Sequence, residues 1–72
     1  MVLYEAKGDV SRESIRTAVG QLLDYRRHID PTPTVAVLLP RRPKADLLDL
    51  LQTERIGCVV EDGIGNFRDA GV

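Results

Sequence analysis

Two fragments near the start of this chain carry residue types that do chemistry together: Glu5-Ala6-Lys7, then Gln21 with Tyr25. A strand repeats its facing every second residue, so Glu5 and Lys7 project from one side of an extended segment and Ala6 from the other. A helix brings residues four apart onto one side, so Gln21 and Tyr25 project together. A helix packed back on its strand would gather a carboxylate, an ammonium, an amide and a phenol. That set suits metal-assisted cleavage of a phosphodiester. A hard divalent cation such as Mg2+ or Mn2+ takes oxygen ligands and keeps several waters. Glu5 offers one carboxylate oxygen, and the Ala6 backbone carbonyl offers another. Such a cation polarises a phosphoryl oxygen and acidifies a bound water. Lys7 would orient that water or offset charge developing on phosphorus. Gln21 and Tyr25 would hold a phosphate or steady the strand groups.

The elements that must position these residues are legible in the pattern. Val2–Ala6 reads as a short strand closed by Gly8 and Asp9. Ser11 is a good N-cap for a helix, with Asp9 as the alternative. That helix carries Ile15, Ala18, Val19, Leu22, Leu23 and Ile29 at spacings that make one side apolar. Gly20 lies mid-helix, where it marks either a close approach to the sheet or plain tolerance. Asp30-Pro31-Thr32-Pro33 stops the helix. Thr34 to Leu39 is a run carrying Val35-Ala36-Val37-Leu38-Leu39, which suits a strand buried on both faces of a parallel sheet. A basic loop from Pro40 to Pro43 follows. Residues 44–54 read as a second helix with Leu47, Leu48, Leu50 and Leu51 inward, broken by Gly57. Cys58-Val59-Val60 is a third strand. Asp62-Gly63 and Gly65-Asn66 supply a turn, and residues 67–72 form a tail with a fragment of strand around Phe67. The order β-α-β-α-β predicts an α/β fold: a small, mostly parallel sheet with helices packed on it, in a single domain.

Composition sets further bounds. At 72 residues the chain is near the lower limit for a self-sufficient core, since below roughly 70–80 residues one core rarely supplies more than about 3–5 kcal/mol. One cysteine excludes an internal disulfide, and no Cys/His staple spacing is present. Stability is therefore expected to draw on self-association or a partner. No apolar run reaches the length of a membrane span, and no basic segment precedes an apolar one, so a cytoplasmic location without membrane contact is expected. A net charge of −1 argues against a general nucleic-acid coat. Arg41, Arg42 and Lys44 are the candidates for phosphate contact. Arg26 and Arg27 read instead as cations placed at a helix C-terminus by its dipole. His28, the one histidine, reads as solvated or capping, and Cys58 as a buried, reduced thiol.

Glu-x-Lys alone is weak, because an exposed strand can carry it as an ion pair of little worth. In context, Val2-Leu3-Tyr4-Glu5-Ala6-Lys7-Gly8 followed by Ala18-Val19-Gly20-Gln21-Leu22-Leu23-Asp24-Tyr25 resembles the PD-(D/E)XK nuclease superfamily. It looks most like the RecB-type branch, with a Gln-x-x-x-Tyr motif on the helix after the catalytic strand. The resemblance covers residues 2–27, extends to the next strand in order only, and carries little beyond Pro40. It implies a restriction-endonuclease-like fold acting on DNA as an endonuclease or exonuclease, with Mg2+ or Mn2+ as cofactor. Glu5 would bind metal with the Ala6 carbonyl, Lys7 would act on the attacking water, and Gln21 and Tyr25 would lie beside the site. A complete site of that family has a further acidic residue, usually Asp, on an upstream strand. Nothing ahead of Glu5 supplies it here, so the chain resembles the C-terminal half of such a domain. Asp9 reads as a cap or turn residue, and Asp24 sits beside Tyr25, about a quarter turn away on the helix. The missing carboxylate is expected from a partner chain or a second copy, and the isolated chain is expected to be weak or inactive. Two other classes compete. One is a non-catalytic protein-interaction module with a degenerate nuclease-like fold. The other is a nucleic-acid binder working through Arg41 and Arg42 without catalysis.

Overall fold

The computed structural model describes residues 1–61 and 67–70. The elements run β1 (Val2–Ala6), α1 (Arg12–His28), β2 (Thr34–Leu39), α2 (Ala45–Thr53), β3 (Gly57–Glu61) and β4 (Phe67–Ala70). The predicted β-α-β-α-β order is present, with one antiparallel strand added where the sequence suggested only a fragment. The turn expected at Asp62-Gly63 and Gly65-Asn66 lies outside the described residues.

The four strands lie in the order β1-β2-β3-β4. β1 pairs with β2, and β2 with β3, in parallel. β4 returns antiparallel on β3. This monotonic order decides the layers. Right-handed crossovers that step twice in the same direction put both connecting helices on one face of the sheet. α1 and α2 accordingly touch each other as well as the sheet. Beneath them lie Val35, Val37, Leu39, Cys58 and Val60, packed against Ile15, Ala18, Val19 and Leu22 of α1 and Leu47, Leu48 and Leu51 of α2. Among the described residues no helix lies on the opposite face. The expectation that β2 is buried on both sides is therefore only partly met. Ala36 is buried, but Leu38 is half-exposed, since no helix among the described residues is laid over it.

Local signals explain the helix ends. Ser11 caps α1, its Oγ accepting from the Ser14 N–H at 3.1 Å. Asp9 stands behind it, its Oδ1 accepting from the Ser11 N–H at 2.9 Å. The two candidate caps thus work in series. Gly20 is exposed and its Cβ direction is open, so it marks tolerance and not a close approach. The close approach is at Gly57, where a Cβ would meet the Ala36 Cβ at 3.2 Å. α2 ends where the sequence places it, at Thr53 with Glu54 as its C-cap, ahead of Gly57. Ile56 N–H donates to the Leu51 carbonyl at 2.8 Å and Arg55 N–H to the Gln52 carbonyl at 3.0 Å. This is a Schellman closure with the expected apolar contact between its ends, Leu51 and Ile56 both being buried. Its left-handed position, usually glycine, is held by Arg55 at φ 58°.

Candidate functional site

Register fixes which β1 side chains meet the core. Leu3 pairs with Val35 and Glu5 with Val37, so Leu3, Glu5 and Lys7 share the helix-covered face with the apolar rows of β2 and β3. Lys7 extends the ladder one step past β1, its N–H donating to the Leu38 carbonyl at 3.0 Å. The apolar layer is thus interrupted at the edge strand by two charged side chains. Glu5 Oε1 and Lys7 Nζ lie 3.8 Å apart, with side chains 22 % and 20 % exposed. Two adjacent charges so largely removed from water are a poor choice for stability, where apolar residues of similar size do as well or better.

The two helix residues are placed differently. Gln21 is half-buried, and its Oε1 is buried without a hydrogen-bond partner. Tyr25 is 44 % exposed. Among the described residues no hydrogen bond or ion pair joins Gln21 or Tyr25 to Glu5 or Lys7. The structure therefore pairs the two strand groups directly and leaves the amide and the phenol without a bond to them.

Lys7 stands at the C-terminal end of the parallel strands, where open α/β sheets bind ligands. The basic loop leaves β2 at that same end. Arg41, Arg42 and Lys44 are exposed there. Arg41 lies close enough to Asp9 for its charge to act on that carboxyl. The larger causes are the hydrogen bonds to Asp9 from the Ser11 side chain, the Ser11 backbone and the Ser14 side chain, and together they lower its pKa to about 2. Across the helix N-termini, Arg12 pairs with Asp46 and holds that carboxyl below its ordinary value. Cys58 is buried and unbridged, as the sequence indicated. Burial pushes its thiol pKa up, and the field of Arg42 opposes that only in part.

Other candidates resolve into structure. Asp24 accepts from Arg27 at 3.2 Å, and its backbone carbonyl accepts from His28 Nδ1 at 2.8 Å. Both are helix-end contacts. Arg26 stands in the last turn of α1, as its place in the sequence predicts. It also reaches to the end of α2, its Nη1 donating to the carbonyls of Glu54 at 3.0 Å and Arg55 at 3.4 Å. No local pattern announces that link, because its partners lie 28 and 29 residues away.

As a cation site the described chain is incomplete. Glu5 is the one carboxylate of the group and is engaged by Lys7. No three His, Cys, Asp or Glu side chains gather among the described residues. The Ala6 carbonyl belongs to a residue whose backbone faces away from β2, along the open edge. The missing oxygen donors would have to come from that side. No helix among the described residues is long and apolar enough to cross a membrane. No protein-family model, curated protein or solved structure matches the chain.

Proposed function

We propose that this chain is half of a metal-dependent nuclease domain of the PD-(D/E)XK kind, hydrolysing DNA phosphodiesters once a second chain completes the site. One observation supports this above the rest: the Glu5–Lys7 pair set into the covered face of an edge strand, where apolar side chains would serve folding better. Functional sites are where such local conflicts are retained. In this reading Glu5 is one oxygen ligand of Mg2+ or Mn2+, and the Ala6 carbonyl is a second. Lys7 orients the attacking water. Gln21, with its unpartnered buried oxygen, and Tyr25 steady the strand groups or a phosphate. Arg41, Arg42 and Lys44 contact the DNA backbone from the loop at the same end of the sheet. The chain alone is a weak ligand set, so it is expected to cut DNA feebly or not at all.

Cleavage of plasmid and linear DNA with Mg2+ or Mn2+ tests this, alongside calorimetric titration of either cation. EDTA-sensitive cutting that appears on assembly and disappears in Glu5→Ala and Lys7→Ala supports the reading. Absence of cation uptake by every assembled form rejects it. Robust cutting by the monomer would overturn the half-site.

The helix-free sheet face supports a second reading, a non-catalytic interaction module. Tyr4, Leu38, Val59 and Phe67, one from each strand, line a groove of about 240 Å3 there. Association through that face without cation uptake would favour it.

A further inference from the structure

The free edge of β1 carries main-chain groups with no partner in the sheet. The Met1 carbonyl accepts from the Thr34 N–H at 3.1 Å, and the Lys7 N–H donates to the Leu38 carbonyl at 3.0 Å. Parallel pairing alternates, so the odd-numbered residues of the segment bond β2. The N–H and C=O groups of Val2, Tyr4 and Ala6 are directed away from it. Such an edge is a template for another strand.

The side chains say which strand fits. Glu5-Ala6-Lys7 is complementary to itself when run antiparallel about Ala6. In that register Glu5 stands opposite the partner's Lys7, and Lys7 opposite the partner's Glu5. Opposite charges directly across a strand pair attract, and like charges repel. A two-fold axis through Glu5 would set carboxylate on carboxylate. A parallel pairing in register would match every charge with its like. The axis at Ala6 brings together the outward-facing N–H and C=O of the two Ala6 residues, and Ala6 adds no bulk there. β1 ends at Ala6 and Lys7 continues its ladder by one step, so the paired stretch is residues 5–7 of each copy; Gly8 and Asp9 bend away beyond it.

We infer that two copies of this chain associate through the β1 edges, antiparallel about Ala6. The product is two four-stranded sheets joined edge to edge over residues 5–7, with closed two-fold symmetry, as most homo-oligomers have. The helix-free faces of the two sheets join across the axis, and the four charges form one cross-strand cluster on the covered side. The inference stands on the strand edge and does not depend on the hydrolase reading.

Sedimentation equilibrium of the full chain over a wide concentration range is the test. The wild type is expected to reach twice the chain mass. Glu5→Lys and Lys7→Glu are each expected to be monomeric, since each then faces like charge with like. An equimolar mixture of the two regains the doubled mass, because each strand again meets its complement. Ala6→Pro is expected to fold by circular dichroism, since its N–H faces outward on an edge strand, yet to stay monomeric. A wild type monomeric throughout would mean that the inward charges instead blunt the edge, and would sink the inference. So would charge-reversed variants that still dimerise, or a mixture that fails to associate. The DNA assay on the same samples separates the two readings. A dimer without cation uptake or cleavage keeps the pairing and removes the hydrolase. Cleavage by a wild type that stays monomeric removes the pairing and the half-site but keeps the hydrolase.

Discussion

On the side of the sheet that carries α1 and α2, Val35, Val37 and Leu39 are no more than 1 % exposed; on the other, Tyr4 and Phe67 keep 58 % and 52 %. Both sets come from alternating residues of one four-stranded sheet, and both contain large apolar side chains. Strand hydrophobicity therefore does not decide which face is closed. Connection order does: two right-handed crossovers stepping the same way spend both helices on one side. A second contrast lies inside the closed face. β2 and β3 present apolar rows to the helices, while β1 presents Leu3 and then Glu5 and Lys7. The conflict with packing sits at the edge strand, beside free backbone groups, and not in the centre.

The largest expected effect measures the first contrast. Leu22→Ala removes a fully buried side chain from beneath α1 and is expected to destabilise by about 2–5 kcal/mol. Tyr4→Ser on the open face is expected to change stability by no more than about 0.5 kcal/mol in the monomer. Urea midpoints for both variants at low protein concentration check the pair. A Tyr4 effect approaching that of Leu22 would show that the open face is covered in solution.

The second contrast is sharpened by removing the charges. Replacing both, with Glu5→Leu and Lys7→Met together, is expected to leave stability unchanged or raise it by about 1 kcal/mol, since the pair is largely desolvated and its geometry is loose. Lys7→Met alone strands a carboxylate on the covered face and is expected to destabilise. Thermal melts of the single and double variants compare them. A double variant clearly weaker than the wild type would mean that the pair is a structural asset, and the main support for a functional role would go.

A smaller effect concerns the end of α2. Arg26→Ala loses the contacts to the Glu54 and Arg55 carbonyls and is expected to cost about 1 kcal/mol. Arg55→Gly relieves the left-handed backbone at φ 58° and is expected to gain about 1 kcal/mol. Opposite shifts in denaturation midpoint are the predicted signature.

These residues also show where sequence reading reached its limit. β1 and β2 were legible to the residue, because Gly8 and the Pro-rich stretch from Asp30 to Pro33 punctuate apolar runs. The start of α1 was legible because Ser11 and Asp9 are strong local caps. The end of α2 was legible to within a residue, but the way it closes was not, because the closure uses Arg55 where a glycine is the usual signal and is braced by Arg26 from another helix. The parallel sheet followed from the alternation of elements. The bare face did not, since it depends on strand order, which no single segment encodes. At the candidate site, the Glu5–Lys7 adjacency followed from strand period alone. The burial of that pair depends on where α1 lands, and helix period could place Gln21 and Tyr25 on one side of α1 but not fix their distance from the strand.

The smallest effect is electrostatic and sits at the N-terminus of α1, at the exposed rim where the two faces meet the loops. The hydrogen bonds from Ser11 and Ser14 hold the Asp9 pKa well below the ordinary carboxylate value, at about 2. A carboxyl whose folded pKa is depressed contributes stability above its unfolded pKa and loses it as pH falls through the folded one. The contribution is therefore whole above about pH 4 and gone below about pH 2. Asp46 adds in the same direction, through its hydrogen bond with Arg12. Asp9→Asn keeps an oxygen for the Ser11 N–H but cannot titrate. The stability difference between wild type and Asp9→Asn, in which the Asp46 contribution cancels, is followed by urea denaturation from pH 5 downward and is expected to be constant at first and then to narrow between about pH 4 and pH 2. Asp9 is fully exposed, so added salt should shrink the difference. A difference independent of pH would assign the role of Asp9 to the neutral hydrogen bond alone.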